Sequence, residues 1–354
     1  MIAFDAVFFQ YYQTGIARLW RSILEEWVKS GFINEICILD RKGTAPRIPG
    51  ANYVTIQPHN YADLEQDHAI LEAACKQIEA KVFISSYYSY PSATPSVLLL
   101  YDMIPEVFKW DKVAMWQEKT LAINNASSLL AISKNTAIDV CNFHPDRKQD
   151  DIPIAYCATT SNFEPAQQSE IEEFKLKYGI RRPYFLLVGS STSYKNAQLF
   201  FKGFSLMKNS EEFDILRTGP APFDERMREF CKGSTVHSHR FSDQELALAY
   251  SGAIALVYPS FYEGFGMPPL EAMACGCPVI TCPYASIPEV CAKAAIYLPP
   301  DKPEEMLKAL MKVQDADVRN KLVQEGLQRP KAFSWEISAK IIADKLMESV
   351  EVRQ

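Results

Sequence analysis

The chain has 354 residues, enough for two cores, and its 48% hydrophobic and 23% charged residues are those of a folded globular protein. A net charge of -6 without a long basic run argues against nucleic acid as a partner. Nine scattered cysteines read as reduced, buried thiols of a cytoplasmic protein; Asp5 interrupts the apolar start, and no apolar run is long enough to cross a bilayer, so neither a signal peptide nor a spanning helix is expected.

Short apolar runs alternate with helical patterns, which predicts an α/β protein with parallel sheets covered by helices on both faces. In the first half, strands are expected at residues 2–9, 35–39, 53–56, 82–84, 97–101, 128–132 and 152–156. After the first of them Ile16, Leu19, Trp20, Ile23, Leu24, Trp27 and Val28 recur at helical spacing, so a helix should bury that stripe. The run Ser85-Ser86-Tyr87-Tyr88-Ser89-Tyr90 follows a strand and is rich in hydroxyls and rings. Such surfaces stack on sugars, which makes Ser85, Tyr87 and Tyr88 acceptor-site candidates, with ordinary loop packing as the alternative. Residues 107–119 mix two tryptophans with lysines, a composition that suits either a membrane interface or a surface helix with its tryptophans turned inward.

The polar, proline-containing stretch 159–172 separates two series of strands and marks a domain boundary. The second series is expected at 184–188, 213–216, 235–237, 253–258, 278–281 and 295–298. Ser242-Asp243-Gln244-Glu245 reads as a capping box, and Ser334 as the cap of the last helix. Lys195 follows the strand 184–188 and the loop Gly189-Ser190-Ser191-Thr192-Ser193, just before a helix expected to start near Asn196. An ammonium there can meet a diphosphate, and the loop offers hydroxyl and N–H donors.

The most informative stretch is Glu263-Gly264-Phe265-Gly266-Met267-Pro268-Pro269-Leu270-Glu271. It is a strand end, a glycine turn and a helix start with proline in its first turn. Gly264 and Gly266 let backbone N–H groups approach a ligand, and a helix N-terminus suits phosphate. Two carboxylates beside a phosphate make sense as acceptors for neutral hydroxyls, Glu263 towards a sugar and Glu271 towards a ribose. No zinc spacing is present: Cys275, Cys277 and Cys282 have no histidine near them, and His237 and His239 have no third ligand, so no metal and no cofactor is expected.

The run 259–290 resembles the donor-site signature of the retaining family 4 glycosyltransferases (glycosyl transferases group 1), whose Glu-x7-Glu pair Glu263 and Glu271 match. Thr14-Gly15-Ile16-Ala17-Arg18, Tyr101-Asp102-Met103-Ile104-Pro105, Lys195-Asn196 and Phe333-Ser334-Trp335 agree in order. The resemblance implies the GT-B fold: two Rossmann-like, doubly wound parallel-sheet domains facing across a cleft that holds the active site. Residues 1–160, joined by the final helix at about 335–354, would form the acceptor side, and residues 165–334 the nucleotide-sugar side. It also implies a metal-independent hexosyltransferase that retains anomeric configuration, using a nucleoside-diphosphate sugar and a glycan or lipid-linked acceptor. GDP-mannose is preferred over UDP-sugars and dTDP-rhamnose. The expected place is the cytoplasm, with peripheral contact at the inner face of the cytoplasmic membrane as an option. Lys195, Glu263, Tyr101 and Asp102 are the catalytic candidates; Gly15, Ser190, Arg217, Arg240, Gly264, Phe265, Gly266 and Glu271 are the donor-binding ones.

The chain departs from the family pattern twice. Relatives carry an arginine shortly before the lysine, where this chain has Ser190 and Tyr194, and Arg217 and Arg240 are the substitutes for that second cation. Relatives often read His-Asp where this chain reads Tyr101-Asp102, and a phenol with an ordinary pKa of about 10 is a poor general base. The fold also hosts sugar-nucleotide epimerases and sugar phosphorylases, and a non-catalytic sugar-nucleotide-binding partner is a further alternative.

Overall fold

The computed structural model describes residues 1–11, 15–110, 113–189, 193–219 and 223–351. Two compact units divide the chain: Met1–Cys157 with Ser334–Gln354, and Ala158–Phe333.

The N-terminal unit is built on six parallel strands, β1 (Ile2–Asp5), β2 (Ile36–Arg41), β3 (Asn52–Ile56), β4 (Val82–Ser85), β5 (Ser96–Leu100) and β6 (Ser128–Ala131), in the order β3-β2-β1-β4-β5-β6. β1, β2, β4 and β5 are buried along their whole length, as expected of near-continuous apolar runs covered on both faces. The predicted helix is present as Gly15–Ser30 and buries Leu19, Trp20, Ile23, Leu24 and Trp27. Trp27 Nε1 donates to Ala339 O at 3.0 Å, tying it to the last helix, Trp335–Glu351.

Two expectations fail here. The first strand stops at Asp5 rather than 9: Ala6 N makes its bond to Leu39 O, and Phe8–Tyr11 then turns helical, with Phe9 N on Ala6 O. The strand expected at 152–156 is a single bridge between Ile154 and Ala131. Pro153 has a carbonyl to offer Ala131 N but no N–H to return, so the ladder does not propagate.

The C-terminal unit repeats the plan with β7 (Tyr184–Val188), β8 (Asp214–Thr218), β9 (Val236–His239), β10 (Ala255–Tyr258), β11 (Val279–Thr281) and β12 (Ala295–Tyr297), all parallel, in the order β12-β11-β10-β7-β8-β9. Phe185, Phe200, Phe204 and Phe213 centre its core. In both units strand order reverses beside the first strand, and in the second unit that point lies between β7 and β10. Ligands in open α/β sheets bind outside the strand C-termini at this position.

All nine cysteines are free thiols and eight are buried. Among the described residues no helix is long and apolar enough to cross a membrane.

Candidate functional site

The switch point of the C-terminal sheet brings together Lys195 and Glu263, two of the residues that the sequence singled out. β7 delivers Gly189 and, after a short 3₁₀ turn, Lys195; β10 delivers Tyr258 and then Glu263. Lys195 Nζ lies 2.8 and 3.0 Å from the two carboxylate oxygens of Glu263 and donates to Tyr258 OH at 2.7 Å. Its stem runs past Gly189, and the rings of Tyr258 and Tyr194 flank its charge at 4.9 and 5.3 Å. Burial, and then the Glu263 charge, push the Tyr258 phenol well above its ordinary pKa, so it stays neutral beside the ion pair.

The turn after Glu263 is held from behind. Ser286 Oγ sits 2.8 Å from Glu263 O and 2.7 Å from Phe265 O, so one hydroxyl serves both carbonyls. Gly266 has φ +110 and caps the helix Met267–Ala274, which has proline in its first turn. A Cβ there would meet Ile287 Cδ1 at 2.9 Å. Gly264 is buried within the turn. The Phe265 ring is buried edge-on against Phe333 at 5.3 Å, so this residue presents backbone rather than ring at the turn. Glu271, one turn into the helix, is buried and accepts from Tyr250 OH at 3.2 Å.

Beside these residues lies a cavity of about 700 Å³, lined by Gly189, Lys195, Arg217, Phe223 and Ser260 among others. Of the two proposed substitutes for the second cation, Arg217 lines it and Arg240 does not; Arg240 is exposed beyond the end of β9. Arg217 is 8% exposed, with Nη1 3.3 Å from Ser238 Oγ and its guanidinium 5.9 Å from the Phe223 ring centre. Ser190 lies outside the described residues.

In the N-terminal unit the candidates are more enclosed than the sequence suggested. Tyr101 is buried; its hydroxyl accepts from Trp20 Nε1 at 2.6 Å and donates to Ser86 O at 2.9 Å, and burial raises its pKa. Asp102 caps the next turn, Oδ1 taking Ile104 N at 3.0 Å, while its carbonyl takes Lys119 Nζ at 2.8 Å. Of the acceptor-site candidates at 85–88, two are enclosed, which favours the loop-packing alternative for them. Ser85 is buried, bonded to Ser89 Oγ and Tyr87 N, and Tyr88 is buried beneath the Lys119 ammonium; only Tyr87 of the three is partly exposed. Gly15 is exposed at the first position of its helix. In the segment 107–119, Val107, Trp110 and Val113 are exposed while Trp116 is half-buried.

Sequence reasoning missed a buried charge network at the carboxyl ends of β1 and β2. Arg41 binds both oxygens of Asp5, at 3.0 and 2.7 Å, and both of Asp67, at 2.6 and 3.0 Å. His59 continues it, with Nε2 2.9 Å from Glu118 and Nδ1 2.7 Å from Tyr11 OH. Ser89 Oγ donates to Asp5, which links the network to the 85–90 loop. These partners lie far apart in sequence, and no local spacing announces them. Tyr258, Ser286 and Tyr250 were also missed; a tyrosine closing a switch-point strand was the available signal for the first.

Residues 182–315 match the family model described as glycosyl transferases group 1. The chain is similar to O-antigen chain mannosyltransferase B of Escherichia coli, at 29% identity over 66% of this chain and 64% of that one. It is also similar to an O-antigen chain mannosyltransferase of Salmonella typhimurium, at 35% identity over 37% of this chain and 38% of that one. Both matches therefore span less than two thirds of the relatives' own lengths. Among solved structures, sucrose-phosphate synthase from Thermosynechococcus elongatus superposes with a TM-score of 0.78 at 16% identity, covering 100% of this chain and 99% of that one, which speaks for the fold alone. The group 1 match in the C-terminal unit, the Glu263/Glu271 pair on its switch-point turn and two doubly wound sheets of the GT-B kind together support a glycosyltransferase of the family 4 type.

Proposed function

We propose that the chain is a retaining hexosyltransferase that takes a sugar from a nucleoside-diphosphate donor, with GDP-mannose as first choice, and passes it to a glycan or lipid-linked acceptor in polysaccharide assembly. The observation that carries this reading is the Lys195–Glu263 pair at the β7/β10 switch point, backed by a glycine turn and a helix N-terminus. The mannosyltransferase names of the two relatives support the choice of sugar.

In this reading Lys195 swings its ammonium from Glu263 to the diphosphate, and the carboxylate so released accepts a hydroxyl of the sugar. Backbone N–H groups of Gly264, Phe265 and Gly266 face the phosphate, and Glu271 takes the ribose, oriented by Tyr250. The acceptor oxygen attacks the anomeric carbon on the face from which the carbon–phosphate-oxygen bond breaks. The departing phosphate oxygen takes the acceptor's proton, leaving a nucleoside diphosphate and a glycoside of unchanged configuration. Protein cations carry the leaving-group charge, so no divalent metal is required.

On the N-terminal unit, Asp102 and Tyr87 orient the acceptor, with Gly15 giving the donor close backbone approach. Tyr101 acts through position, because its hydroxyl is already engaged at both ends. For a lipid-linked acceptor, exposed Val107, Trp110 and Val113 are the side chains that would meet a membrane surface.

The test incubates the protein with GDP-mannose, EDTA and mannosylated acceptors, and follows nucleotide release and the anomeric proton signals of the product. Acceptor-dependent release of GDP with an α-configured product supports the reading. Consumption of the donor without acceptor indicates an epimerase, dependence on free phosphate indicates a phosphorylase, and donor binding without turnover indicates a non-catalytic partner.

A further inference from the structure

A nucleoside diphosphate brings at least two negative charges to its site, and Lys195 meets it already half-committed. Both Glu263 oxygens lie within 3.0 Å of the ammonium, so the pair together is close to neutral. A second cation is needed for the phosphates to be favoured over water. The loop that carries Lys195 supplies Ser193 and Tyr194 immediately before it, neither of them charged.

Arg217 stands where that cation would be useful. It lies near the end of β8, in register with Leu187 of β7, and Gly189 N bonds Thr218 O at 3.0 Å. Gly219, at φ +148, packs directly on Gly189, so the strand end bearing Arg217 is locked to the strand end from which the Lys195 loop departs. Both cations line the same cavity. The guanidinium is mostly buried, which holds its pKa below the ordinary arginine value by desolvation and makes a desolvated anion a favourable neighbour. The Phe223 ring and Ser238 hydroxyl lie beside it, and a planar fork suits two phosphate oxygens better than a point charge does.

A second, independent observation points the same way. Ser260, 1% exposed, lines this cavity, and its Oγ is buried without a hydrogen-bond partner among the described residues. A buried hydroxyl left so costs free energy until a ligand oxygen completes it. Of the acids on the wall, Asp224 is engaged by Arg226 through both oxygens, at 2.9 and 2.8 Å, and Glu229 is exposed.

We propose that Arg217 is the second phosphate cation of this cavity, donating in bidentate fashion to one phosphate of a nucleoside diphosphate while Lys195 meets the other, with Ser260 adding a neutral donor. The proposal rests on the donor reading given above and assigns to β8 a charge that the β7 loop does not supply.

Calorimetric titration with GDP, UDP, GMP and UMP, in EDTA and at two salt concentrations, tests it on the wild type and on Arg217→Gln, Arg217→Lys, Lys195→Ala, Ser260→Ala and Arg240→Gln. Expected are a wild-type preference for one diphosphate over its monophosphate, a loss of roughly ten- to a hundredfold in diphosphate affinity with Arg217→Gln, and a shallower salt dependence. Ser260→Ala should lose a few-fold, and Arg240→Gln should match the wild type. Arg217→Lys keeps charge and stem but not the fork, and should lose at least about fivefold; it carries the test should the glutamine variant not fold. Wild-type affinity in the Arg217 variants, with Lys195→Ala weakened, overturns the role of Arg217 and leaves the donor reading standing. Failure of the wild type to bind any of the four nucleotides overturns both.

Discussion

Lys195 and Glu263 meet across the switch point of the C-terminal sheet, with the ammonium 2.8 and 3.0 Å from the two carboxylate oxygens and both side chains largely buried. In the proposed mechanism the ammonium serves the leaving phosphate and the carboxylate the sugar. Lys195→Ala is therefore expected to lower turnover by roughly a hundredfold or more, as loss of a comparable charge stabiliser does. Steady-state kinetics with a fixed donor check this, and near-normal turnover removes Lys195 from the chemistry.

Glu271 accepts a hydrogen bond from Tyr250 OH at 3.2 Å. Tyr250→Phe is expected to weaken donor binding several-fold without a matching loss in kcat, because it removes one restraint on the carboxylate proposed to take the ribose but leaves its charge. Separate kcat and KM values for donor decide it; an equal fall in both kcat and kcat/KM contradicts a binding role.

How much of this was legible in sequence follows from how local each feature is. Glu263, Gly264, Gly266 and Glu271 lie within one short turn-and-helix segment, and Lys195 precedes a helix whose cap at Asn196 is where the pattern placed its start. The alternating apolar runs and the helix after β1 were equally readable, because burial writes a period into neighbouring residues. The Arg41 network was not, since Asp5, Asp67 and Glu118 reach one place only through the topology of the sheet. The 85–88 run stayed ambiguous for a related reason: hydroxyls and rings that suit a sugar also suit the packing of a buried loop.

Arg41 is fully buried between Asp5 and Asp67 and carries the charge balance of both carboxylates. Arg41→Met is expected to cost about 3–5 kcal/mol, because two carboxylates are left buried without their partner. Urea unfolding followed by far-UV circular dichroism measures it. A loss under about 1 kcal/mol means that the carboxylates find water or protons at little cost.

His59 adds a pH dependence to that network. Burial alone would lower its pKa, but the hydrogen bond and charge of Glu118, with the charge of Asp67, raise it above the ordinary value of about 6.5. A pKa raised on folding stabilises the protonated form, so this contribution is full below about 6.5 and fades as pH climbs through the raised folded value. The Tm difference between wild type and His59→Gln should therefore be larger at pH 6 than at pH 9. A difference that does not change with pH shows that His59 stays neutral.

Gly219→Ala tests the locking of the β7 and β8 ends. The residue sits at φ +148, and a Cβ would run into the Gly189 carbonyl. Strain and clash together should cost about 2 kcal/mol or more, a drop of several degrees in Tm, and weaken nucleotide binding beyond it. A melting curve and a donor titration on the same preparation separate the two effects.

The most direct test of the donor site is a thermal-shift panel of GDP-, UDP-, dTDP- and ADP-sugars, in EDTA, on the wild type and Glu271→Ala. Stabilisation of the wild type by one nucleotide class, GDP-mannose first among them, that disappears in the variant is the expected result. A well-folded wild type that none of the four classes stabilises contradicts a nucleotide-sugar site at the Glu263–Glu271 turn.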